Sequence, residues 1–202
     1  MPREALVIGK TGVGKTAFVL GLAEFLNMKK LEISFLYPDG HKRAEEYRLD
    51  HAKRELIGSK RHRTRCLQSI AIELPAGKGK KILTITDSPG LVDGIHEREE
   101  VRRAMAQTLG AVRRADVILH VVDVGDFIGD RERGTEEVDK QIAEYASLKG
   151  GYVILANKMD LPGAAGGLQT VMDEYIGRQV IPVSVLQKKG FVEVKAFVWR
   201  YV

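Results

Sequence analysis

The amino-acid sequence predicts a three-layer α/β/α fold, with helices on both faces of a mostly parallel sheet of six strands. The first observation is an alternation of short β-branched runs with segments whose apolar residues recur at helical spacing. The second is that several of these runs are almost continuously apolar, which is typical of parallel strands buried on both faces. The 202-residue sequence contains no internal repeat or low-complexity linker, so we expect residues 1–202 to form one domain.

The predicted strands are bounded by turn or polar residues. The run that ends at Thr86 is followed by the turn residues Asp87-Ser-Pro-Gly90, and the run that ends at Ala156 is followed by Asn157. In chain order, the six strands are predicted at Ala5–Ile8, Gln68–Leu74, Ile82–Thr86, Val117–Val122, Tyr152–Ala156 and Val180–Val185.

The predicted helices fall between these strands. The first is indicated by Phe18, Leu22 and Phe25, which lie on one helical face. The second has acidic residues at its start and two arginines at its end, as the helix dipole favours. The third begins near Thr135, a residue type preferred at the N-cap. Helices are therefore expected at about Thr16–Met28, Glu97–Arg114, from Thr135 past Tyr145, Leu168–Ile176 and Phe191–Val202.

Composition excludes several classes of protein. No apolar run reaches the roughly 18–20 residues that span a bilayer, and the N-terminus lacks the apolar core of a signal peptide. The single cysteine, Cys66, cannot form an internal disulfide. We therefore expect a cytoplasmic protein.

A phosphate-binding motif follows the first strand. Gly9-Lys-Thr-Gly-Val-Gly-Lys-Thr16 matches G-x-x-x-x-G-K-[ST], the P-loop, between a strand and a helix. Glycines let backbone N–H groups approach phosphate oxygens, and the N-terminus of the next helix favours an anion. Lys15 is expected to reach the β- and γ-phosphates, and the Thr16 hydroxyl to ligate Mg²⁺. The motif indicates a nucleoside triphosphate without specifying its base.

Two further motifs follow later strands. In Asp87-Ser-Pro-Gly90, the carboxylate is expected to hold Mg²⁺ through a water molecule, and the Gly90 N–H to contact the γ-phosphate. In Asn157-Lys-Met-Asp160, the Asp160 carboxylate can accept hydrogen bonds from guanine N1–H and the exocyclic amine, a donor pair that adenine lacks. Asn157 is expected to tie this loop to the P-loop, and the Lys158 stem to pack over the base.

Together these motifs resemble the translation-factor and Ras-related superclass of P-loop GTPases, over the whole chain. The Gly-Lys-Thr-Gly-Val-Gly-Lys loop and the proline of Asp-Ser-Pro-Gly-Leu look most like the bacterial Era/TrmE-type and septin-related branch. The resemblance implies a G domain, and it matches Ser184-Val185-Leu186 to the family's last motif, whose backbone reads guanine O6. The nucleotide-binding set is then Gly9, Thr11, Gly12, Val13, Gly14, Lys15, Thr16, Ala17, Asp87, Gly90, Asn157, Lys158, Asp160, Ser184, Val185 and Leu186.

The catalytic groups are harder to assign. Thr64 is the only threonine between Thr16 and Thr84, and Era-like proteins similarly place Thr-Arg before the next strand. We expect Thr64 to complete the metal set of Thr16, Thr64 and Asp87, and the catalytic set of Lys15, Thr64 and Gly90. The alternative is a solvent-exposed threonine in a basic loop. Leu91 occupies the place where Ras-like enzymes have a water-positioning Gln, so we expect catalysis to use His96, Glu97, an arginine finger, a partner or a cation.

A long basic segment, the switch I region at about residues 29–66, separates the first helix from the second predicted strand. Leu31, Ile33 and Phe35 alternate like a strand, Pro38-Asp-Gly40 suggests a turn, and His41–Leu56 suggests a weak helix. Residues 41–65 hold nine Lys/Arg against four Asp/Glu, a surplus equal to the net charge of +5 of the whole chain. Such a segment suits RNA, the ribosome or an acidic membrane surface. The alternative is a solvated switch loop whose charges complement the triphosphate.

We therefore expect a GTP-binding protein that hydrolyses GTP to GDP, uses Mg²⁺ as cofactor and acts as a molecular switch. Its partners would be GTP or GDP and an unidentified effector or GTPase-activating protein. Two alternatives remain open. One is a septin-like assembly module in which nucleotide stabilises a homodimer, and the other is an RNA- or ribosome-associated GTPase.

Overall fold

The computed structural model describes residues 3–57, 66–76, 79–91, 98–129 and 137–201. Its strands are β1 (Arg3–Ile8), β2 (Lys30–Leu36), β3 (Lys42–Arg48), β4 (Leu67–Ala76), β5 (Gly79–Asp87), β6 (Val117–Asp123), β7 (Tyr152–Asn157) and β8 (Val180–Pro182). Its helices are α1 (Lys15–Phe25), α2 (Leu49–Leu56), α3 (Glu99–Arg114), α4 (Glu137–Ser147), α5 (Ala164–Glu174) and α6 (Phe191–Trp199). A 3-10 helix, Val124–Phe127, follows β6.

All of these strands form one sheet, in the order β3-β2-β4-β5-β1-β6-β7-β8. From β5 to β8 every neighbouring pair is parallel, and β3, β2, β4 and β5 are joined by antiparallel pairs. The parallel strands β6 and β7 are buried almost throughout, which explains their continuous apolar sequences. The carboxyl ends of β1, β5 and β7 therefore lie along one edge of the sheet, where ligands bind in folds of this kind.

Helices cover the sheet on both faces, as the sequence predicts. On one face, α1, α2 and α6 pack over a core that includes Phe18, Leu31, Ile33 and Phe191, with the Phe18 and Phe191 rings stacked 5.6 Å apart. On the other face, α3, α4 and α5 contribute Val112, Ile142 and Val171 to a second core. The three-layer α/β/α arrangement is therefore confirmed.

The strand count of six is wrong, because the described part of the chain has eight strands in its sheet. The two strands beyond these six are β2 and β3, a hairpin inserted after α1, and β2 covers the segment of Leu31, Ile33 and Phe35 whose alternation already indicated a strand. The prediction of a helix over His41–Leu56 is wrong for the first half of that range, where Lys42–Arg48 forms β3. It is confirmed for the second half, which forms α2. Five of the seven β3 side chains are exposed, so the strand lacks the apolar alternation from which a strand is predicted.

The turn between β2 and β3 is set by short-range hydrogen bonds. The His41 N–H donates to Asp39 Oδ1 at 2.9 Å, and the Gly40 N–H donates to the Tyr37 carbonyl at 2.9 Å. Gly40 has a φ of +89°, a conformation that favours glycine. The predicted turn at Pro38–Gly40 is therefore present, and it returns the chain as a strand.

The last strand is shorter than predicted, ending at Pro182 instead of Val185. After it, the Val183 N–H donates to the Ala156 carbonyl, and Ser184 pairs with Lys189 in an isolated bridge. The residues after β8 thus form a loop beside the end of β7. Among the described residues, no helix combines the length and apolar character needed to cross a membrane.

Candidate nucleotide site

The P-loop connects β1 to α1 at the carboxyl edge of the sheet. Gly14 forms the N-cap of α1 with a φ of +100°, and a Cβ at this position would lie 2.6 Å from Asn157 Nδ2. No acidic residue occupies the first turn of α1. The partial positive charge of this helix terminus is therefore not neutralised by a side chain of α1, and it favours an anion.

The side chain of Lys15 is buried against this loop. Its side chain is 6% exposed, and Nζ donates to the carbonyl oxygens of Gly9 at 2.9 Å and Lys10 at 2.6 Å. Burial lowers the pKa of Lys15 to about 8, opposed by the negative charge of Asp87. A buried ammonium with two carbonyl acceptors lacks the strong anionic partner that a phosphate would supply.

Thr16 and Asp87 meet at the junction of α1 and β5. The Thr16 hydroxyl donates to Asp87 Oδ2 at 2.5 Å. The second carboxylate oxygen, Oδ1, is buried and has no hydrogen-bond donor among the described residues. Burial raises the pKa of Asp87 to about 6, although Lys15 and the Thr16 hydroxyl act in the opposite direction.

These groups fit Mg²⁺, which prefers hard oxygen ligands and neutralises nearby carboxylates. A buried carboxylate oxygen without a donor is an available ligand or an acceptor for a metal-bound water. The Thr16 hydroxyl beside it offers a second oxygen. Thr64, the third predicted metal group, lies outside the described residues, as do His96 and Glu97.

Gly90 and Leu91 run directly alongside the P-loop. A Cβ on Gly90 would lie 2.2 Å from Thr11 Oγ1, so this contact requires glycine. The Leu91 N–H donates to the Gly9 carbonyl at 3.1 Å. The Leu91 side chain is only 2% exposed and packs into the core around Leu6 and Ile8. Leu91 is therefore a core residue, and its side chain is not available to position water.

The loop after β7 is tied to the P-loop by a side-chain amide. Asn157 Nδ2 donates to the Val13 carbonyl at 2.8 Å, which is the tie predicted from the sequence. Asn157 Oδ1 accepts a longer hydrogen bond, 3.4 Å, from the Val185 N–H. Asn157 therefore joins the P-loop, its own loop and the loop that follows β8.

Asp160 is held by Ser184 from that last loop. The Ser184 hydroxyl is buried and donates to Asp160 Oδ1 at 2.5 Å, while the Gln187 N–H donates to Ser184 Oγ at 3.1 Å. The two segments predicted to read guanine are thus in direct contact. The Ser184 side chain thus binds the Asp160 carboxylate, whereas the Leu186 side chain is 81% exposed.

Asp123 is a further carboxylate beside these loops, and the sequence analysis did not single it out. It ends β6 between the P-loop strand β1 and the base-loop strand β7, and its carboxylate pairs with Lys158 Nζ. Lys158 has a φ of +67°, an uncommon conformation for a lysine. The available signal was a carboxylate directly after a buried parallel strand, which is the same position that Asp87 and Asn157 occupy.

The inserted hairpin and α2 also reach the proposed metal site. A small cavity is lined by Thr16 and Asp87 and also by Ile33 of β2 and Leu56 of α2. The Glu24 carboxylate of α1 pairs with Lys53 of α2 at 2.8 Å. The insertion is thus packed directly against the elements that carry the phosphate and metal groups.

Comparison with known proteins identifies the family. A family model described as 50S ribosome-binding GTPase matches residues 47–158, which is more than half of the chain. The chain belongs to this family. The word GTPase in that description agrees with the nucleotide motifs recognised in the sequence. The matched range includes Asp87–Gly90 and begins after the P-loop, so the assignment of the phosphate loop rests on its motif and geometry.

Curated relatives are similar over part of their length. GTPase Obg of Ruminiclostridium cellulolyticum is 30% identical over 118 residues, which cover 56% of this chain and 27% of the relative. GTPase Obg of Metamycoplasma arthritidis is 31% identical over 122 residues, which cover 59% of this chain and 28% of the relative. The chain therefore spans little more than a quarter of the length of these relatives.

Solved structures establish the fold. A variant of Era from Aquifex aeolicus bound to GDP and aluminium fluoride superposes with a TM-score of 0.62 at 14% identity, covering 100% of this chain and 57% of that one. Era in complex with MgGDPNP and a segment of 16S ribosomal RNA gives 0.64 at 17% identity, covering 99% and 56%. The G domain of T. maritima FeoB gives 0.56 at 14% identity, covering 100% and 99%.

Proposed function

We propose that this chain binds GTP with Mg²⁺, hydrolyses it to GDP and acts as a molecular switch. One observation carries the proposal: the P-loop, the Thr16–Asp87 pair and the Asn157–Asp160 loop meet at one edge of the sheet and are joined by hydrogen bonds. A phosphate anchor, a metal-binding pair and a guanine acceptor thereby belong to a single site. The P-loop alone would not distinguish guanine from adenine.

The residues take different roles in this proposal. Lys15 exchanges its two carbonyl acceptors for phosphate oxygens, which bind an ammonium more strongly. Thr16 and Asp87 hold Mg²⁺, which when bound neutralises charge on the β- and γ-phosphates. Ser184 fixes the Asp160 carboxylate for the guanine N1–H and amine. The Gly90 N–H and Thr64 are the proposed contacts with the γ-phosphate, so their segments would report its loss.

We expect slow intrinsic turnover. The Leu91 side chain is buried, so the position used for a water-holding Gln in Ras-like enzymes supplies no polar group here. A GTPase-activating protein, a second copy of the chain or a residue of segment 92–97 would have to supply it. The unassisted rate should then lie near or below the order of 10⁻³–10⁻² per second of unstimulated relatives.

The base assignment is tested with Asp160→Asn. Titration with GTP, XTP and ATP by calorimetry should show GTP bound more tightly than ATP by the wild type, and a preference moved from guanine towards xanthine in the variant. Asp173→Asn is the matched control, since Asp173 is an exposed carboxylate on α5 that accepts a hydrogen bond from Gln169 of the same helix. If Asp160→Asn keeps the wild-type affinity for GTP, the assignment is wrong.

Association with RNA or the ribosome is a second proposed function. It is supported by the family's description as ribosome-binding, by the Era structure that contains ribosomal RNA, and by the basic residues 41–65. Contacts between such a segment and phosphates would weaken steeply as salt rises. The same basic residues could instead bind an acidic membrane surface. The cytoplasmic location of the protein stays a prediction.

Charge reversal at Lys60, Arg61 and Arg63, which lie outside the described residues, tests the second function. It should weaken binding to RNA or ribosomal particles and flatten the salt dependence, while GDP affinity stays unchanged. Vesicles of acidic lipid, measured in parallel, separate a membrane from RNA. A wild type that binds neither at low salt would favour the solvated-loop interpretation.

The assembly alternative predicts a different observation. If nucleotide serves mainly to hold a homodimer, size-exclusion chromatography should give a dimer with one of GDP or a non-hydrolysable GTP analogue and a monomer with the other. A switch that acts through an effector would leave the elution volume unchanged between the two nucleotides.

A further inference from the structure

The inserted hairpin leaves one edge of the sheet open. Strand β3 is the last strand in the sheet order, and its only strand partner within the described residues is β2. Most of its side chains are exposed, and the exceptions, Glu45 and Tyr47, are only half-buried. An unpaired edge of this kind can accept a further strand through its backbone N–H and C=O groups.

The hydrogen bonds at the two ends of the hairpin show which β3 residues direct their backbone N–H and C=O groups towards the open edge. The Tyr37 N–H donates to the His41 carbonyl, and the Leu49 N–H donates to the Lys29 carbonyl. In an antiparallel pair, hydrogen-bonded residues alternate with residues whose backbone groups face away from the partner. The odd-numbered residues of β3 therefore bond to β2, and Lys42, Ala44, Glu46 and Arg48 present their backbone groups to the open edge.

The charges of β3 select one way in which two copies of this edge can pair. A two-fold axis through Arg43, Glu45 or Glu46 would place that charged residue opposite its own copy, which is destabilising. An axis through Ala44 instead places Lys42 opposite Glu46 and Arg43 opposite Glu45, and symmetry forms each pair twice. Axes nearer the ends of β3 pair fewer strand residues.

We propose that β3 is a homodimerisation edge, at which two copies of the chain pair antiparallel about a two-fold axis through Ala44. The occupant is a second copy because the edge is complementary to itself in charge and in hydrogen-bonding register. The backbone groups of Ala44 face the open edge, so the two Ala44 residues exchange both backbone hydrogen bonds. Lys42 of each copy exchanges backbone hydrogen bonds with Glu46 of the other copy in the same way. Such an interface is isologous and closes as a dimer.

The hairpin is held in place before it pairs. Strand β2 is hydrogen-bonded to β4 from Ile33 to Leu36, and Gln107 of α3 donates to the carbonyls of Leu36 and Tyr37 at 3.1 and 3.0 Å. On the opposite face, Ile33 and Phe35 are buried in the core. An edge fixed in this way loses little conformational freedom on association, which favours binding.

Charge reversal tests the pairing. Lys42→Glu places like charges opposite each other twice, so we expect the dimer dissociation constant in sedimentation velocity to rise roughly tenfold or more. The double change Lys42→Glu with Glu46→Lys should restore dimerisation, because the opposite charges have only exchanged places. Within the chain this exchange loses one exposed ion pair, between Lys30 and Glu46, which contributes little. Lys80→Glu is the matched control, because it reverses a lysine of an exposed strand ion pair away from β3.

Cysteine cross-linking tests the register. Hydrogen-bonded antiparallel residues have Cα atoms about 5.5 Å apart, within the range of a disulfide. Ala44→Cys should therefore form a covalent dimer under mild oxidation, whereas Glu46→Cys should not, because Glu46 faces Lys42 of the other copy. The wild type controls for Cys66, whose side chain is buried.

Three results would overturn the proposal: a wild type that is monomeric across the concentration series, a double variant that remains as weak as Lys42→Glu, or stronger cross-linking from Glu46→Cys than from Ala44→Cys. The interface shares no residue with the nucleotide site. Failure of the dimerisation proposal would therefore leave the proposed GTPase function unaffected. Equally, a chain that failed to bind GTP would not contradict dimerisation at β3.

Discussion

Asp87→Asn is expected to stabilise the protein in the absence of metal and nucleotide, and to remove most of the stabilisation that Mg²⁺ and GDP provide. The reason is the burial of a carboxylate whose Oδ1 has no donor among the described residues. Burial raises the pKa of Asp87 from 3.8 to about 6, so the folded state resists ionisation of this group.

The magnitude follows from the pKa. A rise of about two units means that ionised Asp87 opposes folding at pH 7 by about 3 kcal/mol. Asparagine removes this charge and keeps an acceptor for the Thr16 hydroxyl, but it places an amide N–H where Oδ1 lies. An amide without an acceptor costs about 1–2 kcal/mol. The net gain in the free energy of unfolding should therefore be about 1–2 kcal/mol.

The pH dependence has a defined sign. Because the pKa of Asp87 is higher in the folded state, its protonated form contributes stability that is fully present below about pH 4 and is lost as pH rises through about 6. The wild type in EDTA should lose this contribution over that window, and Asp87→Asn should not. At Asp116, burial alone would raise the pKa, but the Glu4 N–H and the Arg3 guanidinium together lower it. Asp116→Asn is therefore the control with the opposite sign.

The assay is urea unfolding followed by the fluorescence of Trp199, the only tryptophan, which packs under Lys81. It is run in EDTA without nucleotide, and again with Mg²⁺ and GDP. Ligand at about 100 times its dissociation constant should add about 2.7 kcal/mol to the wild type and much less to Asp87→Asn. A metal-free variant that is less stable than the wild type by about 1 kcal/mol or more would refute the reasoning.

Three other substitutions separate roles within the site. Lys15→Ala should weaken GTP binding by several kcal/mol in calorimetry, because the phosphates lose their charged donor, and an undiminished affinity would contradict the assignment. Leu91→Ala should reduce the free energy of unfolding by about 2–5 kcal/mol, since it empties a buried core position, but should change single-turnover hydrolysis little; a large loss of rate in folded protein would give Leu91 a catalytic role. Thr64→Ala should strongly lower the rate of single-turnover hydrolysis. Hydrolysis that survives this change would show that another residue contacts the γ-phosphate and Mg²⁺.

The parallel half of the fold was predictable because its signals are local. Strands such as Val117–Asp123 and Tyr152–Asn157 are buried on both faces, and burial on both faces requires a continuous apolar sequence. The antiparallel edge was not predictable in the same way. Strand β3 buries almost nothing, so its charged residues are equally compatible with a helix, and only pairing with β2 made it a strand.

The site shows the same division. The phosphate loop, Asp87 and the base-reading loop could be recognised because the chemistry demands particular residue types at fixed spacing. The pairing of Asp123 with Lys158 and the burial of Leu91 could not be recognised, because both depend on which strands and loops lie next to each other.

The sequence by itself therefore determined the fold class and the nucleotide motifs, and it predicts a guanine preference, since each depends on residue type and short-range order. Only the tertiary structure decided that Ser184 holds Asp160, that Lys15 and Asp87 are buried together with shifted pKa values, and that a charged strand forms the open edge of the sheet. Burial and the contacts between distant segments set these properties, and neither is encoded in any short stretch of the chain.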